Sequence, residues 1–188
     1  MEKEKRKKKG NIIKEIALPD GVGTIMDGSF LAIKGPKGDV KRKLAQNKIS
    51  IKIQNDKIIL ESKSQKKEDK KAIGSLLAHI KNMIKGSLQN HIYTLKICSG
   101  HFPMNISVSG NKFAVKNFLG EKVPRVLQLK EGANVKIEGD LVYVTSTNKE
   151  TAGQVSADIE QLTRRPGYDS RIFQDGIYIV NKDGKQLK

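Results

Sequence analysis

The second half of this chain repeats the first. Residues 28–39 (Gly-Ser-Phe-Leu-Ala-Ile-Lys-Gly-Pro-Lys-Gly-Asp) align with residues 110–121 (Gly-Asn-Lys-Phe-Ala-Val-Lys-Asn-Phe-Leu-Gly-Glu), and residues 51–60 align with residues 135–144. The offsets of 82 and 84 residues are longer than the ~20–50-residue units of solenoid repeats. The repeat therefore predicts an α+β fold with two tandem duplicated domains, each an antiparallel sheet packed with one main helix.

Short apolar runs separated by turn residues predict hairpins in the first copy. Residues 12–18 and 22–25 flank a Pro-Asp-Gly turn, residues 30–34 follow Asp27-Gly28, and residues 40–44 follow a Gly-Pro-Lys-Gly segment. Residues 49–53 and 57–60 flank a turn at residues 54–56. We expect each neighbouring pair of runs to form a hairpin.

A change of period marks one helix in each copy. Apolar residues spaced three and four apart predict an amphipathic helix over about residues 69–89, with Gly86 as a weak point. Ala152, Val155 and Ile159 predict the second helix, and Thr147 with Glu150 predicts a capping box at its start. The predicted domains are a basic disordered arm at residues 1–11, a first α+β domain at 12–90 and a second at 91–188.

The charge of the chain indicates a polyanionic partner. The net charge is +16 with a pI of about 9.8, and nucleic acid neutralises such an excess. A membrane partner is disfavoured because no long apolar run is present and the basic N-terminus lacks an apolar signal core. The single cysteine, Cys98, excludes an internal disulfide, permits a reducing compartment and is expected to fill a core position.

Basic and aromatic side chains concentrate at loops of the second copy. A Pro-Gly break at residues 166–167 precedes arginines and aromatic residues, which suit phosphate contacts and stacking on unpaired bases. The predicted RNA-binding residues are His101, Phe102, Lys116, Lys122, Arg125, Arg164, Arg165, Tyr168, Arg171, Phe173 and Lys182. Asp175 and Gly176 are expected to form a hairpin turn, while Tyr178 fits either a core or a contact position.

The sequence contains no residue pattern that is typical of a catalytic site. The Asp and Glu residues are not arranged as an acid/base pair, and His79 and His91 have no metal-binding partners at suitable spacing, so both are expected at the surface or its boundary. We therefore predict a binding protein with no cofactor, no metal and no enzymatic activity. An RNA-modifying enzyme would need a site that these residues do not form.

Several long motifs resemble one ribosomal protein family. They are residues 35–38 (Gly-Pro-Lys-Gly), 78–86 (Ala-His-Ile-Lys-Asn-Met-Ile-Lys-Gly), 96–98 (Lys-Ile-Cys), 101–103 (His-Phe-Pro), 117–125 (Asn-Phe-Leu-Gly-Glu-Lys-Val-Pro-Arg) and 171–178 (Arg-Ile-Phe-Gln-Asp-Gly-Ile-Tyr). In this order they resemble the large-subunit ribosomal protein family L-six, called L-nine in eukaryotes, in its archaeal and eukaryotic branch.

The resemblance implies a role in the ribosome. It implies two duplicated α+β domains, no catalytic activity, and binding of large-subunit ribosomal RNA, chiefly through the C-terminal domain, near the sarcin–ricin loop and the stalk base. Neighbouring ribosomal proteins would be partners, the location would be the cytoplasm, and no homo-oligomer would be needed. The alternative function is a free-standing RNA-binding regulatory protein outside the ribosome.

Overall fold

Two compact units make up the chain in the computed structural model. The structure describes residues 11–44, 49–54, 57–62, 64, 66–169 and 171–187. The first unit ends at Leu88 and the second begins at Gln89. The expected basic arm at residues 1–11 lies, apart from Asn11, outside the described residues, as does the tip of the turn at residues 55–56.

The described residues of the first unit form two three-stranded antiparallel sheets and one long helix. Its elements are β1 (Ile12–Ala17), β2 (Gly23–Asp27), β3 (Phe30–Gly35), β4 (Gly38–Lys43), β5 (Ile49–Gln54), β6 (Lys57–Ser62) and α1 (Lys67–Leu88). The sheet orders are β1-β6-β5 and β2-β3-β4. The apolar stripe of α1, including Ile73 and Ile80, is buried in one core with Ile33 and Leu60 from the strands, as expected for an amphipathic helix.

One predicted hairpin of this unit is wrong. The β2–β3, β3–β4 and β5–β6 hairpins form as predicted, but β1 pairs with β6, so that Ile16 lies opposite Ile58. The chain after the turn at residues 19–21 starts a different sheet instead of returning along β1. Pairing of β1 with β6 buries Ile16 in the core with Ile58, which a local β1–β2 hairpin would not provide.

The second unit repeats this arrangement and extends it. Its elements are β7 (His91–Cys98), β8 (Asn105–Ser109), β9 (Lys112–Lys116), a 3₁₀ turn (Phe118–Gly120), β10 (Arg125–Gln128), β11 (Ala133–Glu138), β12 (Leu141–Ser146), α2 (Lys149–Leu162), β13 (Gly176–Lys182) and β14 (Lys185–Gln186). The sheet orders are β11-β12-β7-β13-β14 and β10-β9-β8. The predicted class, two duplicated α+β domains, is confirmed, and in the part of the chain that the structure describes each unit has two sheets.

Two local predictions for the second unit are wrong. The N-cap of α2 is Asn148, whose Oδ1 accepts a hydrogen bond from the Glu150 backbone amide at 2.9 Å, so Thr147 is not the cap. His91 is completely buried at the start of β7, and its Nδ1 lies 3.0 Å from Oδ2 of Asp183. This contact joins the first strand of the unit to the chain just after β13.

Two further side chains have intermediate environments. Cys98 is half-buried at the end of β7, so it is not a fully buried core residue. His79 is half-buried on α1, with its Nε2 3.3 Å from an Arg42 guanidinium nitrogen, which agrees with the predicted boundary position. No helix in the described part of the chain combines the length and apolarity required to cross a membrane.

Candidate nucleic-acid interface

The loop between α2 and β13 is fixed at both ends. This loop, residues 163–175, contains most of the predicted arginine and aromatic residues. Oγ1 of Thr163 accepts a hydrogen bond from the Ile177 backbone amide at 2.9 Å, and Oε1 of Glu160 accepts one from Ile179 at 3.1 Å. The end of α2 therefore holds the start of β13, and the loop projects from a fixed base.

Asp175 connects this loop to the segment that follows β7. Its Oδ1 accepts hydrogen bonds from the backbone amides of Gly100 at 2.7 Å and His101 at 2.9 Å, and its Oδ2 contacts Nδ1 of His101. The carboxylate side chain is only 1% exposed. The predicted hairpin turn at Asp175 and Gly176 is wrong, because the element before them is the helix α2 and not a strand, and β13 starts there by pairing with β7.

The charge of Asp175 is stabilised by these contacts. Burial of the carboxylate raises its pKa, but the hydrogen bonds from His101 and Gly100 together outweigh burial and leave the pKa below its ordinary value. Asp175 is therefore ionised in the folded protein at neutral pH. A buried, ionised carboxylate with several donors is a rigid connection between two loops.

Four flat groups form a continuous row, called here the aromatic row. The His101 and Phe173 rings lie 5.0 Å apart and are tilted by 32°, and the Phe173 and Tyr168 rings meet edge to face at 5.0 Å. The Arg165 guanidinium lies 4.3 Å from the centroid of the Tyr168 ring. Such faces stack on nucleic-acid bases without reading their sequence.

Arg125 has a bracing role within this site. Its Nε and Nη2 each donate to the Glu121 carboxylate at 2.7 Å, and its Nη1 donates to the Leu162 carbonyl at 2.8 Å. The guanidinium carbon lies 4.4 Å from the centroid of the Phe118 ring. Arg125 thus ties β10 to the end of α2, and its predicted contact with RNA stays a prediction.

Glu121 holds two arginines. Besides the fork to Arg125, its Oε1 lies 3.4 Å from Nη1 of Arg165. The hydrogen bond from Arg125 is the largest influence and lowers the pKa of Glu121; burial opposes it, and the charges of Arg125 and Arg165 add to the lowering. The Arg165 guanidinium, which ends the aromatic row, is therefore held in place by the Glu121 carboxylate.

Several predicted cations are exposed around the row. Arg164, Lys116 and Lys122 are exposed, and the Arg171 side chain is 88% exposed. Arg171 forms a hydrogen-bonded ion pair with Asp169 at 2.8 Å, which lowers the pKa of Asp169. Because they are exposed, these four cations are accessible to phosphate groups.

Phe102 is part of the same surface. Its exposed ring packs over Gly120, where a Cβ atom would lie 3.6 Å from the ring. Gly120 has a φ of +78°, which favours glycine. The Asn117 side chain donates to the Pro103 carbonyl at 3.1 Å, so the segment after β7 lies against the 3₁₀ turn between Lys116 and Lys122.

A cavity of about 500 Å³ opens beside the aromatic row. It is lined in part by Arg164, Arg165, Tyr168, Phe173 and Tyr178, and its volume is within the ~300–1,000 Å³ range of small-ligand sites. Tyr178 is 42% exposed, so its predicted core position is wrong, and its contact with RNA stays a prediction.

Lys182 is separate from this cluster. It lies on β13 opposite Tyr93 and Lys185, six residues beyond Gly176 at the loop end of the strand. At ~3.3 Å per residue this separation is about 20 Å. The other predicted contact residues lie on the loop after β7, the segment around the 3₁₀ turn and the α2–β13 loop.

Sequence reasoning missed the structural roles of Glu121 and Glu160, and it assigned Asp175 to a hairpin turn instead of to the contact with Gly100 and His101. Glu121 stands four residues before Arg125, a spacing that offered a weak local signal. Asp175 and His101 are separated by 74 residues, and no local pattern indicates their contact. Among the described residues no group of three or more His, Cys, Asp or Glu side chains is placed to hold a metal ion.

Comparison with known proteins identifies one family. The family model described as Ribosomal protein L6 matches residues 18–89 and 102–176, one segment in each unit. The large ribosomal subunit protein uL6 of Methanococcus vannielii is 46% identical over 176 residues, covering 94% of this chain and 97% of its own. The uL6 proteins of Methanothrix thermoacetophila and Methanobrevibacter smithii are each 40% identical, covering 91% and 92% of this chain and 97% of their own.

Proposed function

The chain belongs to the Ribosomal protein L6 family, and on that premise we propose that its second unit binds large-subunit ribosomal RNA near the sarcin–ricin loop and the stalk base. The protein is a structural component of the large ribosomal subunit and not an enzyme. As a ribosomal component it acts in the cytoplasm and contacts ribosomal RNA and other ribosomal proteins. The place beside the sarcin–ricin loop rests on the family resemblance, and the stalk-base neighbours belong to the proposal.

The aromatic row is the observation that carries the proposal. His101, Phe173, Tyr168 and Arg165 are in consecutive contact, and exposed cations flank them. Structured RNA is recognised through shape, phosphates and unstacked bases, and flat side chains beside cations provide both types of contact. We call this row together with Phe102, Lys116, Lys122, Arg164 and Arg171 the C-terminal face.

In the proposed mechanism, one set of residues holds the binding surface in place and another set contacts the RNA. Glu121 and Asp175 hold the row and the loops rigid, so little conformational entropy is lost when RNA binds. Arg164 and Arg171 neutralise phosphates and release counterions, which makes affinity dependent on salt. Tyr168 and Phe173 then stack on bases that the folded RNA leaves unpaired.

Replacing Arg164 and Arg171 together by alanine tests the contact assignment. Affinity for a large-subunit rRNA fragment that contains the sarcin–ricin stem-loop should fall, and the slope of log K against log salt should become shallower by about 1.4–1.8, or 0.7–0.9 for each lost phosphate contact. The matched control is Lys14→Ala with Lys71→Ala, two exposed lysines of the first unit. If both double variants changed affinity and slope equally, general charge would explain binding and the C-terminal face would not.

The domain boundaries, the role of the N-terminal residues and the number of copies in each subunit are also proposals. We propose that residues 12–90 and 91–188 are the two domains, supported by the division into compact units at Leu88 and Gln89. We propose that residues 1–11 act as a basic arm along phosphates, supported by their charge, and that the protein acts as a single copy in each subunit.

A further inference from the structure

The β2-β3-β4 sheet of the first unit has an outer face with an ordered side-chain pattern. Residues directly opposite one another on neighbouring strands lie on the same face of a sheet. The register gives three rows across the strands: Asp27, Phe30 and Lys43; Ile25, Ala32 and Lys41; and Gly23, Lys34 and Asp39. The alternate residues of β3, Leu31 and Ile33, are buried on the other face.

Large apolar side chains are exposed in the middle of this face. Ile25 is 49% exposed and Phe30 is 39% exposed, and the ammonium group of Lys41 lies 5.0 Å from the centroid of the Phe30 ring. Lys34 and Lys43 are exposed on either side. The face therefore has an apolar centre of Ile25, Phe30 and Ala32, and around it lie three lysines and the exposed carboxylates of Asp27 and Asp39.

The second unit shows that the fold does not require this apolar centre. In the internal repeat, Phe30 corresponds to Lys112, and the equivalent β8–β9 pairing places Ser107 where β2 has Ile25. Ala32 corresponds to Ala114 in the same position. The equivalent sheet forms with serine and lysine at these two positions, and it exposes Val126 where the first unit has Lys41, so a sheet of this kind does not require Ile25 and Phe30.

We infer that this face docks a neighbouring protein of the large subunit, through a segment that presents apolar side chains between Asp and Glu residues. An apolar centre with a polar rim is the usual anatomy of a protein interface, and Lys34, Lys41 and Lys43 complement acidic residues. An RNA ligand is disfavoured because the exposed carboxylates of Asp27 and Asp39 on the same face repel phosphates, and the aliphatic Ile25 offers no flat face for a base. The inference rests on membership in the large subunit and is independent of the C-terminal face.

A photo-crosslinker identifies what covers the face. p-Benzoyl-phenylalanine is placed at position 30, or at position 112 as the matched control, and large subunits from cells with only that copy of the protein are irradiated and analysed by mass spectrometry. Position 30 should give an adduct with one ribosomal protein, at a peptide with acidic residues beside apolar ones, and position 112 should not. Adducts of position 30 with rRNA, with a basic peptide, or at no higher yield than position 112 would overturn the inference.

Exchanging the residues of the two copies provides a second test. The variant Ile25→Ser with Phe30→Lys carries the second unit's residues, and we expect it to leave large subunits roughly tenfold more readily in a graded salt wash. The control is Val126→Ser, which alters an exposed apolar residue of the equivalent sheet in the second unit. Equal or stronger retention of the exchange variant, whose added lysine favours RNA, would refute a protein-docking face. Binding of the isolated variant to the rRNA fragment should be no weaker than the parent's, which separates this result from failure of the C-terminal face.

Discussion

The substitution Asp175→Ala distinguishes two influences on RNA affinity: the contacts that hold the RNA-binding loops in place, and the net charge of the protein. The parent carboxylate accepts two backbone hydrogen bonds, at 2.7 Å from Gly100 and 2.9 Å from His101, and also contacts the His101 ring. Alanine removes all three acceptor contacts at a site that is almost closed to water. The segment with His101 and Phe102 should then lose its fixed position.

The two effects of this substitution on RNA affinity have opposite signs. Loss of one negative charge changes the formal net charge from +16 to +17, which alone favours a polyanion. A donor left without its partner costs about 1–3 kcal/mol when it is buried. Gly100 and His101 are exposed residues whose donors can bind water instead, so we expect the three lost contacts together to lower the unfolding free energy by about 1–3 kcal/mol. If RNA must restore the loop at a cost of about 1–3 kcal/mol, affinity falls roughly 5- to 150-fold.

Binding and hydrogen exchange together measure this prediction. Affinity for the rRNA fragment is compared among the parent, Asp175→Ala and Glu138→Ala, a control that removes an exposed carboxylate of the same unit. The Gly100 and His101 amides should exchange faster only in Asp175→Ala. A folded Asp175→Ala protein that binds RNA as tightly as the parent, or more tightly, would refute the reasoning.

The pH dependence gives a further check on the same residue. The folded pKa of Asp175 is lowered, so its stabilising contribution is complete above the ordinary aspartate pKa of about 3.9 and is lost as pH falls toward the lowered value. The stability difference between parent and Asp175→Ala should therefore persist from about pH 5 to 8 and should shrink below about pH 4. A difference that disappeared near neutral pH would contradict the assignment.

Two other substitutions test supporting contacts. Glu121→Gln weakens the two hydrogen bonds from Arg125, so urea unfolding should show a loss of unfolding free energy of about 1–2 kcal/mol. Because the folded pKa of Glu121 is lowered, this loss should shrink below about pH 4.3. A loss that stayed the same at pH 3 would contradict the role of the carboxylate. Gly35→Ala places a Cβ 2.6 Å from the Ser87 carbonyl oxygen and should destabilise the fold by about 1–3 kcal/mol. Gly74 lies on α1 with open space where its Cβ would be, so Gly74→Ala should stabilise the fold by up to about 1 kcal/mol. Thermal unfolding followed by circular dichroism compares the two glycine variants, and equal shifts would refute the close contact at Gly35.

The parts of the fold that were predictable depend on local signals. The repeat predicted two similar domains, and the spacing of apolar residues predicted α1, which begins at Lys67 and ends at Leu88. The β2–β3 and β5–β6 hairpins follow from turn residues between alternating runs. The pairing of Ile16 with Ile58 spans 42 residues, and its energy comes from a shared core that no local window contains.

The residue types of the site were predictable from the sequence, but the contacts that hold those residues in place were not. Arginine and aromatic residues near the Pro-Gly break indicated the α2–β13 loop, and the structure gives Tyr168 and Phe173 the expected proximity. The contact of Asp175 with His101 depends on β13 pairing with β7, a tertiary arrangement without a sequence signal. The distance of Lys182 from the loop, by contrast, follows from the length of β13 alone.

Crosslinking in cells tests the central claim most directly. Ultraviolet irradiation joins the protein to its RNA, the bound RNA is sequenced, and the crosslinked peptides are identified. The account predicts reads concentrated on large-subunit rRNA beside the sarcin–ricin loop, with crosslinks in peptides containing Phe102, Tyr168 or Phe173. Crosslinks spread over many cellular RNAs, or confined to peptides of the first unit, would contradict it.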